Sequence, residues 1–148
     1  MQRQQQLTEW LHRQFPGETF TLAPASADAS FRRYFRATLS DGRNLIVMDA
    51  PPQHEDCRPF LHIAKLFEEA GAHVPHVYAQ DLQQGSLLLS DLGSTTYLQA
   101  LCGGNINTAC KLYNAATDAL IKIQLISCEN ELPPYDETLL LREMRLFP

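Results

Sequence analysis

The stretch that most restricts what this chain can fold into lies between residues 31 and 48. Phe31-Arg32-Arg33-Tyr34-Phe35-Arg36-Ala37-Thr38-Leu39 is rich in aromatic and β-compatible side chains, and Asn44-Leu45-Ile46-Val47-Met48 is a second such run. Ser40-Asp41-Gly42 separates them. Strand, Asp-Gly, strand is a hairpin pattern, because Asp and Gly tolerate the positive φ that tight hairpin turns impose. Side chains alternate along a strand, so Phe31, Arg33 and Phe35 share one face, and Arg32, Tyr34 and Arg36 the other. Pro51-Pro52 ends the second strand, since proline has no N–H to give a ladder.

The flanking periodicities supply the other elements. Leu7, Trp10, Leu11 and Phe15 recur at helical spacing, which predicts a helix over 4–15, broken by Pro16-Gly17. Residues 19–22 alternate as a strand, and 24–30 read as a loop by composition. A helix over 56–70 carries the stripe Phe60, Ile63, Ala64 and Phe67, with Gly71 placed to end it. Strands follow at 74–79 and 86–90 around a Gln84-Gly85 turn. After Gly93 the pattern is helical, at 95–101, 108–125 and from about 136 onward. The fold class is therefore α+β, with an antiparallel sheet and one helix packed on it, then a helical region.

Composition excludes several function classes. With 45% hydrophobic residues over 148 positions the chain can build one ordinary domain or one lobe of a larger protein. A formal net charge of −5, from 12 Lys+Arg against 17 Asp+Glu, argues against a nucleic-acid partner. No apolar run approaches the roughly 20 residues of a membrane span, and the polar start Met1-Gln2-Arg3-Gln4-Gln5-Gln6 is no secretory signal. Cys57, Cys102, Cys110 and Cys128 form no C-x-x-C pair, so the reading is reduced thiols in the cytoplasm.

A hairpin, a helix, two strands and then helices is the element order of a protein-kinase-like small lobe running through its hinge. In that arrangement ATP lies between lobes, and the first hairpin turn covers its phosphates. Four motifs sharpen this. Asp28-Ala29-Ser30-Phe31-Arg32-Arg33-Tyr34-Phe35-Arg36, Ile46-Val47-Met48-Asp49-Ala50-Pro51-Pro52, and Leu87-Leu88-Leu89-Ser90-Asp91-Leu92-Gly93 with Thr96-Tyr97-Leu98 are the first three. Leu132-Pro133-Pro134-Tyr135-Asp136, with Leu141-Arg142-Glu143-Met144 and Leu146-Phe147, is the fourth. Together they resemble the aminoglycoside-phosphotransferase-like enzymes, and within them the anomeric N-acetylmuramate/N-acetylglucosamine kinases of cell-wall sugar recycling.

The resemblance implies transfer of the ATP γ-phosphate to the anomeric hydroxyl of an amino sugar in the cytoplasm, with Mg²⁺. It also implies a division into a nucleotide-binding small lobe with an N-terminal helix, 1–91, and a hinge with an incomplete helical large lobe, 92–148. Such enzymes hold the base in a His-x-Asp loop with an Asn five residues on, followed by a metal-binding Asp. The only His-x-Asp here is His54-Glu55-Asp56, ahead of a helix and with Leu61 where the Asn belongs. No catalytic or metal residue is therefore assigned, and the Mg²⁺ ligands are expected in a missing C-terminal half, the chain reading as the truncated N-terminal part of such a kinase.

Ser26, Ala27, Asp28, Ala29 and Ser30 are either the phosphate-covering loop or an ordinary surface loop. Arg32 or Arg33 can neutralise phosphate, but opposite faces allow only one into a cleft, and Arg33 is the nucleotide-binding candidate. Adenine is expected against the backbone of Asp91, Leu92 and Gly93, with Val47 and Leu89 as apolar walls. A kinase small lobe carries a Lys on its third strand paired to a helix Glu. Met48 or Asp49 stands there instead, with Lys65 or Arg33 as possible substitutes. Tyr135, Asp136, Arg142 and Glu143 face the sugar by resemblance, or form a helix capped by Asp136. His73 and His76 alone make no closed metal site. Leu120, Ile121, Leu125, Leu139, Leu140 and Phe147 are expected to leave an unburied apolar face that favours self-association or docking. The alternative function is a non-catalytic nucleotide-binding or regulatory module, or a decayed gene product.

Overall fold

The computed structural model describes residues 2–27 and 31–146. Its elements run α1 (Gln2–Gln14), β1 (Phe20–Ala27), β2 (Arg33–Leu39), β3 (Asn44–Asp49), α2 (Arg58–Glu69), β4 (Val77–Asp81), β5 (Ser86–Ser90), α3 (Tyr97–Leu101), α4 (Ile106–Ile126) and α5 (Glu137–Met144). The five strands form one antiparallel sheet in the order β1-β2-β3-β5-β4. The α+β class, the hairpin and the sheet-then-helix order all follow the sequence pattern.

One expectation needs correction. The segment from Pro24 through Ala27 is not loop but the second half of β1, paired with β2 through a register shift between Pro24 and Ser26. β1 is an edge strand, so the missing N–H of Pro24 costs no ladder bond, and the irregularity absorbs the misfit. Asp28, Ala29 and Ser30, expected in a phosphate loop, lie outside the described residues.

The sheet separates two cores. On its outer face Leu7, Trp10 and Leu11 of α1 are buried against Ala37, Leu39, Leu45, Val47 and Leu88. On its inner face Met48, Ala50, Cys57, Leu87 and Leu89 cluster, with Tyr34, Ile46, Phe60 and Leu61 packed on them. A fully buried large apolar side chain is worth about 1.5–3 kcal/mol, so α1 is fixed firmly to the outer face by these three residues. Asp49, fully buried on that face, accepts from Arg3 Nε of α1 at 2.8 Å and from Arg33 of β2. Arg3 also donates to the Gln84 carbonyl.

The helical part meets the small lobe beside α2. Ile63, Leu66 and Phe67 face Ile123, Ile126 and Leu132 across a cavity of about 260 Å³. Lys122 Nζ donates to the Gly71 carbonyl at 3.3 Å, and His62 lies 3.1 Å from Glu131. Local capping sets these helices. Thr96 and Gln99 form a capping box for α3, Asn105 caps α4, and Asp136 accepts from the Leu139 N–H to cap α5.

Two glycines differ in what they permit. A Cβ on Gly85, at φ +65°, would sit 1.8 Å from the Ala50 carbonyl oxygen, whereas one on Gly42, at φ +87°, would meet nothing within 4 Å. The Ala50 N–H also donates to the Gly85 carbonyl at 2.8 Å, so neither backbone can retreat without losing that bond. Gly42→Ala should cost about 1 kcal/mol from backbone strain alone. Gly85→Ala should cost more than about 3 kcal/mol in urea unfolding, because a backbone clash is added. Equal losses would contradict this packing.

Candidate functional site

A cleft of about 350 Å³ opens on the inner face of the sheet, where β5 gives way to the helical part. Ile46, Leu89 and Phe60 form its apolar walls, Tyr34 and Ser26 line its β1–β2 side, and Ser90, Asp91, Leu92 and Gly93 form its rim. Strand alternation explains who is present. Tyr34 and Arg36 of β2 and Ile46 of β3 share the inner face, while Arg33, Val47 and Asp49 share the outer one.

Two sequence expectations are thereby corrected. Val47 does not wall the cleft: it is fully buried in the outer core under α1, and Ile46, one residue earlier, takes its place. Arg33 does not enter the cleft either. It pairs with Asp49 on the outer face, its guanidinium 5.7 Å from the Phe35 ring centroid. Leu89, Asp91, Leu92, Gly93 and Ser26 do line the cleft. Ala27 ends β1 opposite Arg33. Tyr135, Asp136, Arg142 and Glu143 sit around α5, and none of them lines the cleft. Asp136 is the helix cap, and Arg142 pairs with its neighbour Glu143 at 3.0 Å.

Arg36, Tyr34, Ile46 and Phe60 are among the cleft residues that sequence reasoning missed, with Ala25, Pro75 and Ser90 beside them. The most informative of them is Arg36. Its Nε donates to Asp91 Oδ2 at 2.5 Å, its Nη2 to Oδ1 at 3.1 Å, and Nη2 also reaches the Gly93 carbonyl at 3.3 Å. Asp91 Oδ1 in turn accepts from the Gly93 N–H at 2.8 Å. Arg36 holds the Asp91 carboxyl below the usual carboxylate range; partial burial opposes this, and the Gly93 N–H reinforces it. The same pairing raises the pKa of Arg36. Both backbone groups of Gly93 are thus engaged by side chains. The N–H of Leu92 and the carbonyls of Asp91 and Leu92 make no hydrogen bond among the described residues. This rim offers an adjacent donor and acceptors beside an apolar slot, which suits the edge and faces of a flat heterocycle.

Residues 21–148 match the model of the phosphotransferase enzyme family. The chain belongs to that family. Three relatives are each named N-acetylmuramate/N-acetylglucosamine kinase. The protein of Pseudomonas aeruginosa is 56% identical over 86% of this chain and 36% of its own length. That of Pseudomonas putida is 47% identical over 99% of this chain and 45% of its own. That of Neisseria meningitidis serogroup B is 45% identical over 100% of this chain and 44% of its own. The chain therefore spans less than half the length of these curated relatives.

Among the described residues a divalent metal finds no fit at this cleft. The two carboxylates at the inner face, Asp91 and Glu55, are each bonded to an arginine, and among the described residues no group of three or more His, Cys, Asp or Glu side chains gathers. No helix of the described residues is long and apolar enough to cross a membrane.

The lowered pKa of Asp91 gives a stability signature with a defined sign. A folded-state pKa below the unfolded value contributes stability at pH above the unfolded value, and the contribution fades as pH falls through the folded one. The stability difference between wild type and Asp91→Asn should be constant from about pH 7 to pH 5. It should shrink below about pH 4, where unfolded aspartate begins to protonate. Urea unfolding across that range measures it. A difference that grows on acidification would contradict the pairing.

Proposed function

We propose that this chain is the ATP-binding portion of a sugar kinase, with the nucleotide base in the cleft walled by Ile46, Leu89 and Phe60. The observation that carries the reading is the rim. Arg36 and Asp91 occupy both backbone groups of Gly93 and leave Leu92 N–H and the Asp91 carbonyl to the base edge. Family membership supports a phosphoryl donor, and the relatives' names support N-acetylmuramate or N-acetylglucosamine as acceptor, with the anomeric hydroxyl as the nucleophile. The small lobe then comprises 1–91 and the hinge with the first helices 92–148. A cytoplasmic place in cell-wall sugar recycling is the setting such a substrate requires.

The chain's own residues account for binding and orientation. The apolar walls exclude water from the faces of the base, and the rim fixes its edge. Mg²⁺ would supply charge neutralisation on the triphosphate, and among the described residues no side chain at this cleft is disposed to hold it. The base that takes the sugar proton, and the carboxylates for the metal, we assign to residues outside these 148. The exposed apolar side chains of α3–α5 and of Leu146 just after them support a further packing partner for this part, by docking or self-association. Leu98 is 75% exposed, Leu125 79% and Leu146 73%. Phe147, expected in the same face, lies outside the described residues.

Calorimetric titration of the 148-residue chain tests the reading. ATP should bind weakly, and Ile46→Trp, which fills the cleft, should abolish binding while circular dichroism stays unchanged. Transfer to N-acetylmuramate by the chain alone should be at background, since general-base help alone is worth about 10²–10⁴-fold. ATP binding that survives Ile46→Trp would put the nucleotide elsewhere, and robust transfer would place the catalytic residues within the chain.

A further inference from the structure

We propose that the bulge in β1 is a binding device: it turns Ser26 into the cleft, where its hydroxyl donates a hydrogen bond to the oxygen-bearing part of the nucleotide next to the base. The proposal rests on the nucleotide reading above and adds a contact which that reading leaves open.

Parity along the strand carries it. Side chains alternate between faces, so a regular β1 would keep its even-numbered residues on one side of the sheet. Phe20 and Leu22 lie on the outer face, packed on the core under α1, and Pro24 stands opposite Phe35, which packs there too. Continued without interruption, the ladder would set Ala25 opposite Tyr34. Ser26 would then stand opposite Arg33, which pairs with Asp49 on the outer face. The observed register differs by one residue. Ala25 is the extra residue, and Ser26 stands opposite Tyr34, on the inner face. β2 and β3 pair without a shift, so the reversal belongs to β1. As a result Ala25 and Ser26, neighbours in sequence, both line the cleft. Consecutive residues of a regular strand point to opposite faces. A one-residue bulge re-aims side chains in this way, and bulges are over-represented beside active sites.

The two residues so placed are chemically unequal. Ala25 is small and apolar. Ser26 is exposed, and its hydroxyl makes no hydrogen bond among the described residues, so its proton is free to be donated. Its position along the cleft selects what it meets. Arg36 reaches the rim at Asp91 and Gly93, which is where the edge of the base is read. Tyr34 is two residues before Arg36 on the same face, about 7 Å along an extended strand. That is the scale of a purine, so a hydroxyl opposite Tyr34 lies where the base ends and the ribose and phosphates begin. Both of those present oxygen acceptors, which a serine hydroxyl can serve.

Adenine, adenosine and ATP titrated calorimetrically into the 148-residue chain test the assignment. Ser26→Ala should bind adenine as wild type does, and should weaken adenosine or ATP by about 3–10-fold, the weight of one hydrogen bond. A loss that begins with adenosine puts the acceptor on the ribose, and one that begins with ATP puts it on a phosphate. Deleting Ala25 restores regular alternation and should give the same loss. Adding Ser26→Ala to the deletion should then change nothing further. Should the deletion fail to fold, exchanging the two residues, Ala25→Ser with Ser26→Ala, keeps the test. Position 25 also lines the cleft, so a hydroxyl there should recover part of the lost affinity, and no recovery overturns the proposal. So do additive losses from the deletion and Ser26→Ala. Ser26→Ala that leaves all three ligands unchanged, or weakens adenine as much as ATP, overturns it and leaves the base site standing. A wild-type chain that binds none of the three overturns both readings.

Discussion

The small lobe is organised around one buried carboxylate. Asp49 has no solvent exposure, and it stands at the end of a strand whose neighbours on both faces are apolar. A charge in that position is tolerated only with close counter-ions, and here they come from two elements, Arg3 of α1 and Arg33 of β2. Each contact has a consequence beyond neutrality. Arg3 secures the N-terminal helix across the outer face, and its bond to the Gln84 carbonyl ties in the β4–β5 turn. Arg33 is drawn outward, and because side chains alternate along β2, its neighbour Tyr34 must turn inward, with Arg36 two positions on. The inner face receives Arg36 because the outer face has consumed Arg33.

The outer core makes that choice irreversible. Leu7, Trp10 and Leu11 contribute apolar burial on one side of Val47, and Leu87 and Leu89 fill the other side of the sheet. A one-residue slip of β3 would move Asp49 into the inner core, away from Arg3 and Arg33, exchanging a paired charge for an unpaired one. Register and face are therefore specified together, by a charge and by packing, and the cleft inherits its walls from that specification.

Much of this was legible in the sequence, and the limits have physical reasons. The Asp41-Gly42 hairpin, the α2 stripe and the strand-to-helix change at Asp91 depend on local chemistry, and each appears where the pattern puts it. The assignment of faces does not. Residues 45–48 are apolar on both sides because helix α1 covers one and the inner core the other, so alternation groups the side chains without saying which group meets a ligand. The clue was Asp49 itself: an acid in an apolar strand requires cations, and Arg33 lies opposite it in the register. Read that way, Arg33 and Val47 belong outside, and Ile46 inside. The extension of β1 past Pro24 was hidden for a different reason. Composition marks a loop there, but an edge strand asks nothing of the proline nitrogen. Phe60 could be read as core from its helix spacing, yet only the fold shows that its ring also closes the cleft.

Charge then gives the cleft a direction. Its middle is apolar, with Ile46, Leu89 and Phe60, and its rim carries Arg36 matched to Asp91. At the rim the carboxylate accepts twice from Arg36 and once from Gly93, so the guanidinium is locked and the backbone from Asp91 to Gly93 is stiffened.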